Sequence, residues 1–203
     1  MHSGFLLVIE GIDGAGKSTL QRRLADWCRQ QRLSVVTGRE PTDGPYGRAL
    51  RDSARTGRLA IEEELELFLK DRRQHIQTVV QPALTLGDVV ILDRYYFSTA
   101  AYQGARGRDP LEILRANEAF APTPDLVLLL DIDPTRGHAR IGQRSDTPDD
   151  FEGAEYLAEV RRIFLSLERP YIQRIDAARD AELVCGDAIA CFTEGLRARR
   201  MLA

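Results

Sequence analysis

Residues 11–18 have the types and the spacing of a loop that binds phosphate. They read G-x-x-x-x-G-K-S, with the lysine and the serine directly after the second glycine. Glycines let several backbone N–H groups turn towards one anion, the lysine can reach the β- and γ-phosphates of a nucleotide, and the serine hydroxyl can bind Mg²⁺. The motif predicts that the chain binds a nucleoside triphosphate through adjoining residues: Gly11, Ile12, Asp13, Gly14, Ala15, Gly16, Lys17, Ser18 and Thr19.

Asp93 and Arg94 stand directly after an apolar run of strand length, residues 89–92. Enzymes with such a loop place an acid at the end of a neighbouring strand, where it holds Mg²⁺ or its water. Asp93 and Ser18 are therefore the candidate metal ligands. Arg94 would project into the same cleft and meet phosphate there. The alternative for Arg94 is an ion pair at the surface, which is common for neighbouring Asp and Arg.

Phe68 and Arg72 are four residues apart in a run with helical periodicity, so they share one face of a helix. An aromatic ring can stack on a nucleobase while the arginine beside it hydrogen-bonds the base edge. The structural alternative is a core Phe68 and a solvent-exposed Arg72. Further along the chain, Ser98, Thr99 and Gln103 add neutral hydrogen-bonding groups. By themselves they could merely cap and decorate a helix, with Ser98 as its N-cap.

Arg136, Arg140 and Arg144 recur at every fourth position and lead into a polar turn at 145–150. Three like charges on one helical face repel one another unless an anion meets them. A mobile segment that carries them could close over phosphates and exclude water during phosphoryl transfer. A solvated face, balanced by the acidic residues that precede it, agrees with the pattern equally well.

The elements that must position these residues alternate along the chain. Apolar runs between helical periods predict an α/β fold, with a parallel sheet of about five strands flanked by helices. Strands are expected near 5–9, 34–37, 89–92, 125–131 and 182–185. Long helices are expected over 61–86 and over 153–177, the second bent or broken at Pro170. Ligands of such sheets bind at the carboxyl ends of strands, where the loops are expected to begin at Gly11, Gly38, Asp93, Asp131 and Gly186.

Length and composition limit the class of protein. At 203 residues the chain is long enough for a full core, and we expect one domain over 1–203 with a small lid at about 140–152. A net charge of −3 and a pI near 5.7 argue against a surface that coats nucleic acid. No apolar run approaches the ~20 residues of a membrane span, and no signal peptide is recognised. Three cysteines without metal-ligand spacing indicate reduced thiols in a cytoplasmic protein.

Taken together, the motifs resemble the thymidylate kinase family, whose members phosphorylate dTMP to dTDP with ATP. Residues 10–19 read E-G-x-D-G-A-G-K-S-T, and Arg51 follows twelve residues after Arg39 of an Arg-Glu-Pro segment. The remaining matches occur in the family's order over nearly the whole chain: Phe68-x-x-Asp71-Arg72, then Asp93-Arg94-Tyr95-x-x-Ser98-x-x-Ala101-Tyr102-Gln103-Gly104, then Pro124-Asp125-Leu126 with Asp131. The resemblance implies the P-loop NTPase fold with a small lid, ATP and Mg²⁺ as cofactors, and a homodimer.

The resemblance also implies how the acceptor nucleotide is bound. Phe68 would stack on thymine and Arg72 would contact its edge. Thr99 and Gln103 would complete the recognition of the base, beside Ser98. Phe68, Arg72, Thr99 and Gln103 would therefore form the base-binding part of the site, and Ser98 is a further substrate-binding candidate.

The resemblance assigns a second group of residues to the sugar and the phosphate. Tyr102 would lie beneath the deoxyribose, and Arg51 and Arg94 would grip the acceptor phosphate. Asp13 would lie near the 3′-hydroxyl or the acceptor site. The segment Glu40-Pro41 would form a rigid turn under the acceptor.

One feature departs from the family's pattern. Family members keep a catalytic arginine either in the phosphate loop or in the lid, and here the loop position is Gly14. The lid must therefore supply it, yet the usual Asp-Arg pair has become Asp149-Asp150. Arg144 is then the first candidate and Arg140 the second, beside Lys17, Arg94 and Asp13 as the other catalytic candidates.

We therefore expect a kinase that depends on ATP and Mg²⁺ and converts dTMP to dTDP. One alternative is a kinase for another pyrimidine deoxynucleoside monophosphate on the same scaffold. The other is a non-catalytic ATP-binding switch that docks a partner according to its nucleotide state. No nucleic-acid partner and no membrane partner are expected.

Overall fold

The computed structural model describes residues 4–57, 59–142 and 150–202. Within them the strands are β1 (Phe5–Glu10), β2 (Val35–Arg39), β3 (Val89–Asp93), β4 (Leu126–Asp131) and β5 (Ile172–Asp176). The helices are α1 (Lys17–Gln30), α2 (Pro45–Thr56), α3 (Ile61–His75), α4 (Gln81–Leu86), α5 (Tyr96–Gly104), α6 (Pro110–Glu118), α7 (Pro134–Gly142), α8 (Asp150–Ser166) and α9 (Ala181–Ala198). A π-helical turn, Ile76–Val80, joins α3 to α4, so the predicted long helical stretch over 61–86 is confirmed.

The strands form one parallel sheet in the order β2-β3-β1-β4-β5, which confirms the predicted α/β class. Strands β1, β3 and β4 are buried over nearly their whole length, because helices cover both faces of the sheet. The central strand β1 lies between β3 and β4. The phosphate loop after β1 therefore opens beside the ends of β3 and β4, where Asp93 and Asp131 stand.

Helices α1 and α9 pack on the sheet and on each other through aromatic side chains. The ring of Phe192 lies 5.4 Å from that of Phe5 and 5.5 Å from that of Trp27. Helix α5 packs against α3, α6 and α8. Within the described ranges, no helix combines the length and the apolar character needed to cross a membrane.

The C-terminal part of the chain differs from the prediction. Helix α8 ends at Ser166, and residues 172–176, which the sequence predicts to be helical, form strand β5 beside β4. Proline has no N–H and clashes with the preceding turn, so Pro170 ends the helical region instead of bending it. Ile175 then packs into the core while Arg174 points outward to Asp131. This alternation is that of a strand.

The predicted last strand, residues 182–185, lies in the first turns of α9. Asp180 caps that helix, because its carboxylate accepts a hydrogen bond from the Glu182 N–H at 2.8 Å. Val184, Ala188 and Phe192 are buried at helical spacing. Gly186 therefore lies inside a helix, and the fifth loop at the sheet's carboxyl edge follows Asp176 instead.

Candidate active site

A cleft of about 940 Å³ opens at the carboxyl ends of the strands. The phosphate loop and the start of α1 line its centre. The segment after β2 and helix α2 contribute one group of lining residues: Arg39, Glu40, Pro41 and Arg51. Helix α7, the segment after β5 and the start of α9 contribute another: Arg140, Ala177, Arg179, Ala181 and Val184. Asp93 and Arg94 also line the cleft, so most of the predicted phosphate-binding residues meet there.

The phosphate loop is packed tightly against α7 at Gly14. This glycine has φ +80°, which side-chain-bearing residues rarely adopt, and a Cβ there would lie 2.1 Å from the backbone oxygen of Gly137. No side chain fits at position 14 while α7 is in place. The packing explains in physical terms why this loop cannot carry an arginine of its own.

Lys17 begins α1 and is buried in the loop. Its Nζ donates hydrogen bonds to the backbone oxygens of Gly11 at 3.0 Å and Ile12 at 2.8 Å. Burial and the nearby charge of Arg94 lower the pKa of Lys17 to about 8, against the opposing effect of Asp13. An ammonium with three donors has one left for a phosphate oxygen.

Ser18 and Asp93 form a pair with the chemistry of a Mg²⁺ site. The Ser18 hydroxyl donates to Asp93 Oδ2 at 2.5 Å. The second carboxylate oxygen, Oδ1, is buried and has no hydrogen-bond partner among the described residues. Mg²⁺ prefers oxygen ligands and is usually held by one or two protein oxygens together with water and phosphate. These residues therefore fit the ion, as predicted for Ser18 and Asp93.

Arg94 is the centre of a cluster that joins four predicted residues. Its Nη2 donates to Asp13 Oδ1 at 2.5 Å and to the Tyr102 hydroxyl at 3.3 Å, and its Nη1 donates to Ser98 Oγ at 3.0 Å. Tyr102 in turn donates to Asp13 Oδ2 at 3.0 Å. Removal from water raises the pKa of the Asp13 carboxyl, but the charges of Arg94 and Lys17 outweigh this and hold that pKa below its usual value. Arg94 therefore forms an ion pair with Asp13, and both residues line the cleft. The alternative of an ordinary surface ion pair does not describe this arrangement.

Ser98 is not the N-cap of α5, contrary to the prediction. The helix begins at Tyr96, and Tyr95 at the N-cap position has no side-chain cap. Glu10 of β1 supplies the missing acceptors, because its Oε1 accepts from the Tyr95 N–H at 2.8 Å and the Ser98 N–H at 3.2 Å. The Ser98 hydroxyl donates to Glu10 Oε2 at 2.5 Å. A cap from another strand leaves no local sequence signal, so the sequence analysis missed Glu10.

Helix α3 anchors the loop that follows β2. Asp71 accepts hydrogen bonds from Thr42, at 2.8 Å from the N–H and 2.6 Å from the hydroxyl. Arg72 Nε donates to Glu40 Oε2 at 2.7 Å, and His75 Nδ1 lies 3.1 Å from Glu40 Oε1. The Glu40–Pro41 peptide bond is cis. The turn predicted at Glu40-Pro41 is therefore fastened to α3 by three side chains.

Arg72 is not solvent-exposed, so that alternative is wrong. Its side chain is only 1% exposed. The guanidinium donates to Asn117 Oδ1 at 2.5 Å and to Thr99 Oγ1 at 3.1 Å. Thr99 thus lies beside Arg72. Asn117 was missed because it is a single polar residue on the buried face of α6 and carries no motif of its own.

The amide of Gln103 is fixed by two charged side chains. Its Nε2 donates to Glu64 Oε2 at 2.9 Å, and its Oε1 accepts from Arg106 Nη1 at 3.1 Å. Gln103 and Glu64 are both buried. Phe68 on the neighbouring α3 is half-buried, and within the described ranges it does not belong to the packed hydrophobic core. The structure therefore does not support a core role for Phe68.

Arg51 lines the cleft and shares an acidic partner with a residue that the sequence analysis did not select. Arg51 Nη1 donates to the Pro41 oxygen and Nη2 to Asp43 Oδ1, both at 2.9 Å. Arg39 Nη2 donates to the same Asp43 oxygen at 2.8 Å. The signal that could have identified Arg39 is its place in the Arg-Glu-Pro segment, at the end of β2. Two guanidinium groups thus stand together at the end of the cleft beside β2.

The predicted lid is only partly within the described residues. Arg140 lines the cleft, and its Nη1 donates to the Ala177 oxygen at 3.2 Å. Arg136 is exposed on α7. Arg144 and the polar turn over 145–149 lie outside the described residues.

Comparison with known proteins agrees with this geometry. The family model described as thymidylate kinase matches residues 9–187 of the chain. A protein of Xanthomonas euvesicatoria pv. vesicatoria (strain 85-10), named thymidylate kinase, is 50% identical over 196 residues, which cover 97% of this chain and 86% of the relative. Another of that name, from Xylella fastidiosa (strain M12), is 50% identical over 97% of this chain and 90% of its own length.

Proposed function

The chain belongs to the thymidylate kinase family, and on this premise we propose that it transfers the γ-phosphoryl group of ATP to dTMP, giving dTDP and ADP. The observation that supports this most strongly is the meeting of two phosphate-binding groups in one cleft. Lys17 and the phosphate loop lie at its centre, and Arg51 and Arg94 line the same cleft. A kinase needs both, because donor and acceptor phosphates must be held in line.

The donor nucleotide is assigned to the phosphate loop. Backbone N–H groups and the N-terminus of α1 attract the phosphates, and the Lys17 ammonium supplies a positive charge near the β- and γ-phosphates. Ser18 and Asp93 would hold Mg²⁺, which when bound neutralises charge on the transferring group. Ala177 and Arg179 line the cleft away from β2 and are assigned to the nucleoside of ATP.

The acceptor phosphate is assigned to Arg51 and Arg94. An oxygen of the dTMP phosphate attacks the γ-phosphorus while the bond from that phosphorus to the β–γ bridging oxygen breaks, and ADP leaves. The acceptor oxygen is already anionic, so the protein need not remove a proton. Its work is to hold the two phosphates together despite their repulsion, and guanidinium groups are suited to this because they bind two oxygens at once.

The thymine base is assigned to Phe68, Arg72, Thr99 and Gln103, and the deoxyribose to Tyr102. Arg72 and Gln103 are each fixed by buried partners, so their donors and acceptors have defined directions. A rigid hydrogen-bonding site discriminates against a base that cannot match it, because a buried polar group is then left without its partner.

Phe68→Ala is expected to raise KM for dTMP and leave KM for ATP nearly unchanged. The reason is the loss of a base–aromatic stack, which contributes ~1–3 kcal/mol and therefore changes affinity by about five- to 150-fold. Steady-state kinetics with each substrate varied in turn measures both constants.

Phe120 provides the matched control for that substitution. It is half-buried and packs against the hydrophobic core. Phe120→Ala is expected to lower the melting temperature and to leave KM for dTMP unchanged. Equal increases in both KM values for Phe68→Ala would contradict the assignment of Phe68 to the base.

The lid is proposed to carry the arginine that the phosphate loop cannot. Gly14 is closed against α7, so a cation for the transferring phosphoryl group must come from elsewhere. Arg144 stands last before the polar turn, so a closing lid would bring it furthest inward. Arg140 is the second choice.

Arg144→Ala is expected to lower kcat by about 10²-fold, with little change in either KM. An arginine that meets charge only in the transition state acts on kcat, and one such donor contributes about 2.7 kcal/mol. Steady-state kinetics on the alanine variants of Arg136, Arg140 and Arg144 separates the candidates. A loss confined to Arg140→Ala would move the role to that residue. Wild-type kcat in all three variants would contradict a catalytic lid.

The proposal extends to assembly and location. Family membership supports a homodimer, for which light scattering would give twice the chain mass of 22.8 kDa. Cys28, Cys185 and Cys191 are free thiols, which agrees with a reducing cytoplasm. We propose one domain with a small lid over about 140–152, with neither nucleic acid nor membrane as partner.

A coupled assay of ADP release tests the proposed activity. With saturating ATP and Mg²⁺, addition of dTMP is expected to start turnover well above the rate without a monophosphate. A chain that binds ATP but releases no ADP with any monophosphate would instead be a nucleotide-dependent switch. That result would overturn the proposal.

A further inference from the structure

A buried carboxylate lies beneath the cluster that holds Arg94. Glu10 ends β1, is 0% exposed, and lies directly before the phosphate loop. It uses both oxygens, accepting the Tyr95 and Ser98 N–H groups at Oε1 and the Ser98 hydroxyl at Oε2. A charge of this kind is costly to bury. An apolar side chain at this position could accept none of these hydrogen bonds, so we expect the carboxylate to have a specific role.

Glu10 and its neighbour in β1 hold the backbone on both sides of Arg94. Arg94 has φ +73°, an unfavourable conformation for a residue with a side chain. Its own N–H donates to the Ile9 oxygen at 3.0 Å, and the next N–H, of Tyr95, donates to Glu10. Two hydrogen bonds to the end of β1 therefore hold the strained backbone at Arg94 in place.

Glu10 also reaches the guanidinium through one side chain. When Ser98 donates its only hydroxyl hydrogen to Glu10, the lone pairs of Ser98 Oγ are left for Arg94 Nη1, which donates at 3.0 Å. The chain of hydrogen bonds runs from Glu10 through Ser98 to Arg94. It fixes the direction of one nitrogen, while Asp13 and Tyr102 fix the other.

We propose that Glu10 is a positioning residue that sets both the backbone turn and the side-chain direction of Arg94 for the acceptor phosphate. The inference rests on the proposed function, because it takes Arg94 as a ligand of that phosphate. Glu10 itself is buried below the cleft and touches no substrate. Its influence on the phosphate passes through Ser98 and Arg94.

The electrostatic surroundings of Glu10 agree with this role. Burial raises the pKa of the Glu10 carboxyl to about 7, although the hydrogen bond from Ser98 and the charges of Arg94 and Lys17 act in the opposite direction. The carboxylate is expected to be the main form at pH 8, and a test at that pH compares it with its substitutes.

Glu10→Gln is the variant that tests the inference. Glutamine has the same shape, but its second polar atom is an NH₂ group and cannot accept the Ser98 hydroxyl. Asp125→Asn makes the same chemical change at the other end of β1, where Asp125 accepts the Leu6 N–H at 2.8 Å. It serves as the matched control. Ser98→Ala is a second variant, since it removes the side-chain link while leaving the Glu10 bonds to the backbone in place.

Titration calorimetry at pH 8 measures the binding of dTMP and of thymidine, which lacks the phosphate. Glu10→Gln and Ser98→Ala are expected to weaken dTMP binding about tenfold, a typical effect for losing one hydrogen bond to a charged group, and to change thymidine binding less than twofold. Asp125→Asn is expected to change neither. A general loosening of the site would weaken both ligands.

The outcomes separate this inference from the function on which it rests. Equal weakening of dTMP and thymidine, or unchanged dTMP binding in Glu10→Gln, would overturn the positioning role. Selective weakening in Glu10→Gln with none in Ser98→Ala would overturn the path through the hydroxyl. Turnover of dTMP by the wild-type enzyme is measured in parallel, and its absence would overturn the proposed function itself.

Discussion

Lys17→Ala is expected to lower kcat by about 10³-fold. The Lys17 ammonium is buried beside the loop carbonyls, where a charge acts far more strongly than it does in water. The loss corresponds to about 4 kcal/mol of transition-state stabilisation. The melting temperature is expected to stay near that of the wild type, because burial already disfavours this charge in the folded protein. Steady-state kinetics and a thermal melt measure the two effects.

Lys70→Ala is the matched control for that substitution. Lys70 is the only other lysine of the chain, and it lies on the outer face of α3 in an exposed ion pair with Glu66. Its removal is expected to leave kcat unchanged. A Lys17→Ala variant with kcat within a few-fold of the wild type and an unchanged melting temperature would contradict the role of the phosphate loop.

Arg94→Ala is expected to lower kcat/KM for dTMP by about 10³-fold while KM for ATP changes little. The guanidinium is held in one direction by three acceptors, so its donors are already arranged when a phosphate arrives. Charge-assisted pairs of this kind are strong, and part of the effect comes from the transition state. Kinetics with dTMP varied at saturating ATP measures the loss.

Arg73→Ala is the control for the loss of a stacked arginine. The Arg73 guanidinium lies 4.0 Å from the centre of the Phe120 ring, and that of Arg94 lies 4.9 Å from the Tyr102 ring. Arg73 stacks on a ring that packs against the hydrophobic core, and it is assigned to neither substrate. Its removal is expected to leave kcat/KM for dTMP unchanged. An Arg94→Ala variant that loses affinity for ATP and dTMP equally would show that Arg94 acts on the fold of the site and not on the acceptor.

Local patterns were sufficient to predict the part of the fold that carries the phosphate loop. The runs that form β1, β3 and β4 are buried on both faces, so their uniform apolar character is unmistakable. Strand β5 lies at the edge of the sheet, and its five residues include Gln173, Arg174 and Asp176. A short polar edge strand lacks the apolar pattern of a buried strand, so even after the break at Pro170 it is hard to distinguish from further helix.

The residues of the candidate site could be selected from the sequence where they belong to short motifs. They could not be selected where their place depends on contacts between distant parts of the chain. Lys17 and Ser18 begin α1 after the phosphate loop, and Asp93 and Arg94 stand at the end of the neighbouring strand β3, so the topology brings the four together. Glu10 could not be selected as the cap of α5, because its partner Ser98 is 88 residues away. Asn117 is likewise recognisable only from the direction of the Arg72 guanidinium. Such contacts follow from tertiary packing, and single-sequence patterns do not encode them.

Turnover of a panel of monophosphates under saturating ATP and Mg²⁺ tests the central claim most directly. The panel contains dTMP, dUMP, dCMP, UMP and dGMP, each measured for kcat/KM by ADP release. The proposed assignment of Phe68, Arg72, Thr99 and Gln103 to thymine predicts the highest kcat/KM for dTMP. A higher kcat/KM for another pyrimidine nucleotide would contradict the assignment of dTMP as the substrate.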